Sequence, residues 1–136
     1  MSINALSHMT FIVKDLTRAA LFFCEGLGAT EVYDSSFKNY SLSREKFFTL
    51  GGLWLVVMEG EPLQSRSYQH VAFNVDASEL PDFECRLRKI GVEIKPSRTR
   101  VEGEGQSLYF YDFDNHLFEL HSGTLAQRLK RYTRHL

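Results

Sequence analysis

Three side chains of this 136-residue chain have the types and the placing to hold a metal ion. His8 and His70 each open the pattern H-x-x-F-x-V, once over His8 to Val13 and again over His70 to Val75. Glu119 lies in the apolar run Leu117-Phe118-Glu119-Leu120, whereas the matching stretch of the first copy, Leu53-Trp54-Leu55, has Leu55 at that place. An ionised carboxylate in an apolar strand is costly unless it is paired or bound to a cation. Two imidazoles and one carboxylate, with coordination positions left open, make the donor set of a catalytic rather than a structural divalent ion. His121 stands two residues beyond Glu119, on the same strand face. It is a rival ligand or a group that supports one.

The elements that must carry these residues repeat. Each histidine segment precedes an amphipathic helix, with Leu16, Ala19 or Ala20, Phe23 and Leu27 on one stripe and Leu80, Phe83, Leu87 and Ile90 on the other. Gly28 and Gly91, 20 and 21 residues after their histidines, suit the left-handed position that ends a helix. Strands are predicted over Thr30–Tyr33, Asn39–Leu42, Phe47–Leu50 and Leu53–Met58, then over Val92–Lys95, Ser107–Tyr111 and His116–His121. Gly51-Gly52 and Asp114-Asn115 read as the turns of hairpins. Asp112 and Asp114 are expected to shape the turn into the Glu119 strand, because Asp and Asn side chains bond nearby backbone.

The fold class is therefore α+β: tandem β-α-β-β-β modules, residues 5–60 and 68–122, joined by a linker over 61–67. A C-terminal helix spans 124–134, with Thr124 as its cap and Leu125, Leu129 and Tyr132 on one stripe. One module has too little core to stand alone, so the two are expected to lay their mixed sheets together into a cupped surface around the site.

Composition narrows the function. Sixteen basic against seventeen acidic residues give a net charge of −1, too balanced for a general nucleic-acid or membrane-surface binder. The longest apolar stretches, such as Leu53 to Met58, cannot span a bilayer, and the N-terminus lacks a basic-then-apolar signal. A cytoplasmic protein is expected, with Cys24 and Cys85 reduced and each within a helix.

The duplicated modules with strand-borne His, His and Glu resemble the vicinal oxygen chelate superfamily over nearly the whole chain. The run from Glu102 through Leu108-Tyr109-Phe110-Tyr111-Asp112-Phe113-Asp114-Asn115-His116 to His121, followed by Gly123-Thr124-Leu125 and Arg128-Leu129, resembles the fosfomycin-resistance enzymes. Ser41-Leu42-Ser43-Arg44-Glu45-Lys46-Phe47-Phe48 is similar to their FosX branch, the fosfomycin hydrolases. This resemblance implies an Mn2+-dependent enzyme that opens the epoxide of a small phosphonate, with other divalent ions possible. It implies His8, His70 and Glu119 as metal ligands, and a homodimer in which His8 reaches the site from the other subunit.

On residues alone Glu45 reads as a solvated side chain paired with Arg44 or Lys46; the resemblance makes it the general base that takes a proton from water. Arg128 would clamp the phosphonate, with Thr10, Ser107 and Tyr109 as hydroxyl donors. Lys95, Arg98 and Arg100 all lie near the place of a further cation, and Arg98 is chosen. The nearest rival is a thiol transferase at the same site, since a thiolate nucleophile needs no carboxylate base beside it. A drug-binding module of the same fold is the non-enzymatic alternative.

Overall fold

A computed structural model describes residues 1–36, 38, 40–96 and 105–133. The chain divides into two compact units, residues 1–65 with 113–115, and residues 66–112 with 116–136.

The first unit begins with β1 (His8–Val13), whose exposed and buried residues alternate toward its end. Asp15 then caps α1 (Leu16–Leu21), its carboxylate accepting the Arg18 backbone N–H at 3.1 Å. A wider π-helical turn, Phe22–Gly26, continues it. Gly28, at φ 80°, ends the helix as its spacing predicted. β2 (Thr30–Asp34), β3 (Glu45–Leu50) and β4 (Leu53–Glu59) follow, in the sheet order β1-β4-β3-β2. β1 runs parallel to β4 and the other pairs are antiparallel. Gly51 and Gly52, with φ 55° and 79°, make the β3–β4 hairpin. Phe23 reaches back from the helix to Phe11 and Phe48, with ring centroids 6.0 and 5.4 Å away.

The expected strand near Asn39–Leu42 is not formed among the described residues: Tyr40 to Ser43 bend, and Asn39 lies outside them. Tyr40 and Leu42 are 80% and 96% exposed, so their alternation has no core to serve. β3 instead begins two residues earlier than predicted, which brings Glu45 into the sheet.

The second unit repeats the plan with β5 (His70–Asn74), a short 3-10 turn (Ala77–Glu79), α2 (Leu80–Lys89), β6 (Glu93–Lys95), β7 (Ser107–Tyr111) and β8 (Leu117–His121), in the order β5-β8-β7-β6. β5 and β8 are parallel, as β1 and β4 are. Pro81 occupies the first turn of α2, where its missing N–H costs nothing, and Gly91 at φ 84° closes it. Asp112 accepts the His116 backbone N–H at 2.8 Å and meets its Nδ1 at 2.8 Å, the turn-shaping expected of it. Asp114 accepts the Lys14 backbone N–H at 3.0 Å and so belongs with the first unit. α3 (Leu125–Thr133) is capped reciprocally: Thr124 Oγ1 accepts from the Gln127 N–H, and the Gln127 carbonyl oxygen accepts from the Thr124 N–H.

Both cysteines lie in helical segments, Cys24 half-buried and Cys85 exposed. Burial, reinforced by the Glu31 carboxylate, raises the Cys24 pKa, which disfavours its thiolate. No helix among the described residues is long and apolar enough to cross a membrane.

The second sheet packs through Phe118, which is fully buried and stacked between Phe73 and Phe110 at 6.1 Å from each. Phe118→Ala is expected to lower stability by about 3–5 kcal/mol through the cavity it leaves. Urea unfolding measures this, and a loss below about 1 kcal/mol would show that this stack does not organise the sheet.

Candidate active site

Register places the chemistry of the second unit on one face. Ala72, Glu119, Tyr109 and Lys95 lie opposite one another across β5, β8, β7 and β6, and Asn74, His121 and Ser107 form a second row. Residues opposite one another in a sheet project to the same side. His70, two positions before Ala72, shares that side.

Glu119 is 5% exposed. His70 Nε2 is 3.2 Å from its Oε1, while His70 Nδ1 is 2.7 Å from the Tyr68 carbonyl. A carbonyl only accepts, so Nδ1 carries the hydrogen and Nε2 turns a lone pair toward the carboxylate. Two lone pairs facing at this distance need a proton or a cation between them. Two donors about 2.1 Å from one ion and at right angles lie about 3 Å apart, so their spacing suits a divalent metal.

The other carboxylate oxygen is held by a chain of side chains. Ser107 Oγ is 2.5 Å from Glu119 Oε2 and 2.6 Å from His121 Nδ1; His121 Nε2 is 3.2 Å from an Nη of Arg128. Two backbone features keep β7 and β8 in step beside it. The Gln106 N–H donates to Ser122 Oγ at 2.8 Å, and Gly105, at φ 87°, lies so close to Gly123 that a Cβ would meet its nitrogen at 2.7 Å. Only glycine fits there. Tyr109 is 4% exposed, and its hydroxyl meets that of Tyr68 at 3.2 Å.

In the first unit, Thr10, Val56 and Phe47 form one row, and Ile12, Met58 and Glu45 the next. His8 and Trp54 start the same face, their rings 4.3 Å apart. Glu45 is 8% exposed, not solvated. Its neighbours are committed elsewhere: Arg44 to Glu59 at 3.7 Å, and Lys46 to Glu31 and Asp34 at 3.0 Å each. Burial alone would lower the Lys46 pKa; hydrogen bonds to Asp34 and Glu31 outweigh it and leave it raised. Among the described residues the Glu45 carboxylate has no hydrogen-bond or ion-pair partner.

The structure thus brings His70, Glu119, Ser107, Tyr109 and Arg128 together in the second unit, and places His8, Thr10 and Glu45 on one face in the first. Among the described residues no three His, Cys, Asp or Glu gather into a ready cluster. Arg98 lies outside the described residues. Lys95, weighed beside it in the sequence, stands opposite Tyr109 on the edge strand. Sequence reasoning offers Tyr68 as a residue that could line the pocket but does not separate that from packing; its carbonyl orients His70 and its hydroxyl meets Tyr109, and no residue pattern marks a carbonyl.

Residues 5–120 match the Glyoxalase/Bleomycin resistance protein/Dioxygenase superfamily. The chain belongs to that superfamily. Within it, this glyoxalase-superfamily protein is 55% identical to the fosfomycin resistance protein FosX of Listeria monocytogenes over 96% of this chain and 98% of that one. A crystal structure of a mutant of that FosX, complexed with Mn(II) and 1S,2S-dihydroxypropylphosphonic acid, superimposes with a TM-score of 0.87 at 53% identity, covering 96% of this chain and 99% of that chain. The metallothiol transferase FosB of Shouchella clausii is more distant, at 38% identity over 96% of this chain and 88% of that one.

Ser107→Ala would remove the hydroxyl that bridges Glu119 Oε2 and His121 Nδ1 and leave these two only their longer direct contact of 3.3 Å in a buried setting. The expected loss is about 1–3 kcal/mol in urea unfolding of the metal-free protein. An unchanged midpoint would mean that solvent already satisfies both groups.

Proposed function

We propose that this chain is a manganese-dependent epoxide hydrolase that inactivates fosfomycin by adding water to its oxirane. The dihydroxypropylphosphonic acid bound by the similar FosX is an epoxypropylphosphonate plus one water, the product such a reaction leaves. His70 and Glu119, whose lone pairs face each other 3.2 Å apart, would hold the ion together with His8. The chemistry a bound divalent ion supplies there is Lewis acidity toward the oxirane oxygen as its C–O bond breaks.

Glu45 takes a proton from the attacking water, whose oxygen bonds to the ring carbon; the opened ring oxygen is protonated to give the diol. The observation that favours water over a thiol as nucleophile is this carboxylate, buried and with no cation holding it among the described residues. Arg128, from α3, and the hydroxyls of Tyr109 and Thr10 bind the phosphonate, with Arg98 as a further cation. Ser107 was expected among these donors, and its place beside Glu119 gives it a second claim on its hydroxyl hydrogen.

His8 belongs to the first unit and its two co-ligands to the second. We assign the working form as a homodimer in which each His8 serves its partner's His70 and Glu119. The reading is of a cytoplasmic enzyme, in keeping with two unbridged cysteines.

With manganese and fosfomycin but no thiol, phosphorus magnetic resonance should show the diol, and Glu45→Gln should slow its formation about 10²–10⁴-fold while manganese binding is retained. A product that forms only with thiol and carries its mass would replace the hydrolase with a transferase; full turnover by the variant would remove Glu45 from the reaction. For the shared sites, His8→Ala and Glu119→Ala are each expected to be inactive, while a mixture refolded together regains about a quarter of wild-type activity, from heterodimers with one intact site each. No regain would place all three ligands within one chain.

A further inference from the structure

We propose that His121 is a positioning residue: as a neutral imidazole protonated on Nδ1, it fixes through Ser107 the rotamer of Glu119 and at the same time holds Arg128. This rests on the reading of Glu119 as a metal ligand and of Arg128 as the anion clamp.

The direction of every bond in the chain follows from the group at its end. A guanidinium only donates, so at 3.2 Å the Arg128 Nη donates to His121 Nε2, which must present its lone pair. The imidazole hydrogen then sits on Nδ1 and donates to Ser107 Oγ at 2.6 Å, the nearer of its two acceptors, since Glu119 Oε2 is 3.3 Å away. With that lone pair of Oγ occupied, the serine hydrogen is directed to Glu119 Oε2 at 2.5 Å. Oε2 is thereby held by a neutral donor, and Oε1 is left facing His70 Nε2 at 3.2 Å. The two ends of the active face, an anion-binding guanidinium and a metal-binding carboxylate, are thus set by one ring. His121 has the rigidity for this: its side chain is 15% exposed, its carbonyl accepts from the Val75 N–H at 3.0 Å and from the Asn74 side chain at 3.1 Å, and Ser107 lies opposite it in register. Partners of this kind, one bond removed from a ligand, orient it and sharpen its affinity.

The imidazole tautomer tests the chain without any metal. In nitrogen–proton correlation spectra of the ion-free wild type, with His121 assigned by its substitution, the hydrogen should be on Nδ1; a hydrogen on Nε2 would overturn the proposal. Manganese affinity, read from the electron paramagnetic resonance of the unbound ion, should fall about 10–100-fold in His121→Phe. It should recover to within a few fold in His121→Asn, whose amide can still donate to Ser107. Binding by the Phe variant equal to wild type would overturn the positioning role. If wild type shows the Nδ1 hydrogen yet binds no manganese, the metal reading of the site fails and the His121 role in metal binding falls with it. If wild type binds manganese while the hydrogen is on Nε2, the proposal fails and the metal reading stands.

Discussion

The site is organised around one carboxylate withdrawn from water inside a sheet. Glu119 sits on an interior strand between β5 and β7 and is nearly solvent-free; withdrawing such a group from water costs several kcal/mol unless its oxygens are satisfied. Ser107 meets one oxygen and His70 faces the other. The neighbours of Glu119 follow from that requirement: a hydroxyl across the hairpin, an imidazole across the parallel pair, and a second imidazole to steer the hydroxyl. In the first unit the register gives the corresponding place on β4 to Val56, which pairs with Thr10 as Glu119 pairs with Ala72, whereas Leu55, expected there from the sequence, pairs with Met9 on the opposite face; among the described residues the same backbone plan carries no such network there.

The two units show how one scaffold is divided between tasks. Both put a histidine at the start of a strand paired in parallel with the last strand of its sheet. The second adds the acid, the hydroxyls and, through α3, the guanidinium. The first contributes a different carboxylate, Glu45, buried at the start of β3 while the cations on either side of it are engaged with other acids. A carboxylate left without a permanent counter-ion keeps its basicity, since a salt bridge would hold its negative charge and weaken it as a base.

Much of this was legible in the residues because it is periodic. The repeated H-x-x-F-x-V and the glycines that end the first and second helices depend on spacing, which the backbone preserves; the alignment of Glu119 with Leu55 is one residue out, because the pairing of β4 with β1 puts Val56 at that place. What escaped depends on tertiary surroundings. Tyr40 and Leu42 alternate with serines as a strand would, yet nothing covers them; Glu45 reads as a surface residue until β3 is seen to start at it. Hydrogen-bond direction is invisible at this level too: Ser107 looks like one more hydroxyl on the ligand's face, and only His121 and Arg128 behind it show where its hydrogen points.

The strand order has a mechanical consequence. β1 and β5, which bear the two histidines, are each the rim of their sheet, bonded along one side only, whereas β8 is bonded along both. Rim strands yield more readily to small displacements than interior ones. Within the second unit, an imidazole on a compliant rim can shift against a carboxylate on a stiff strand, as His70 can against Glu119, without disturbing the bonds behind that carboxylate.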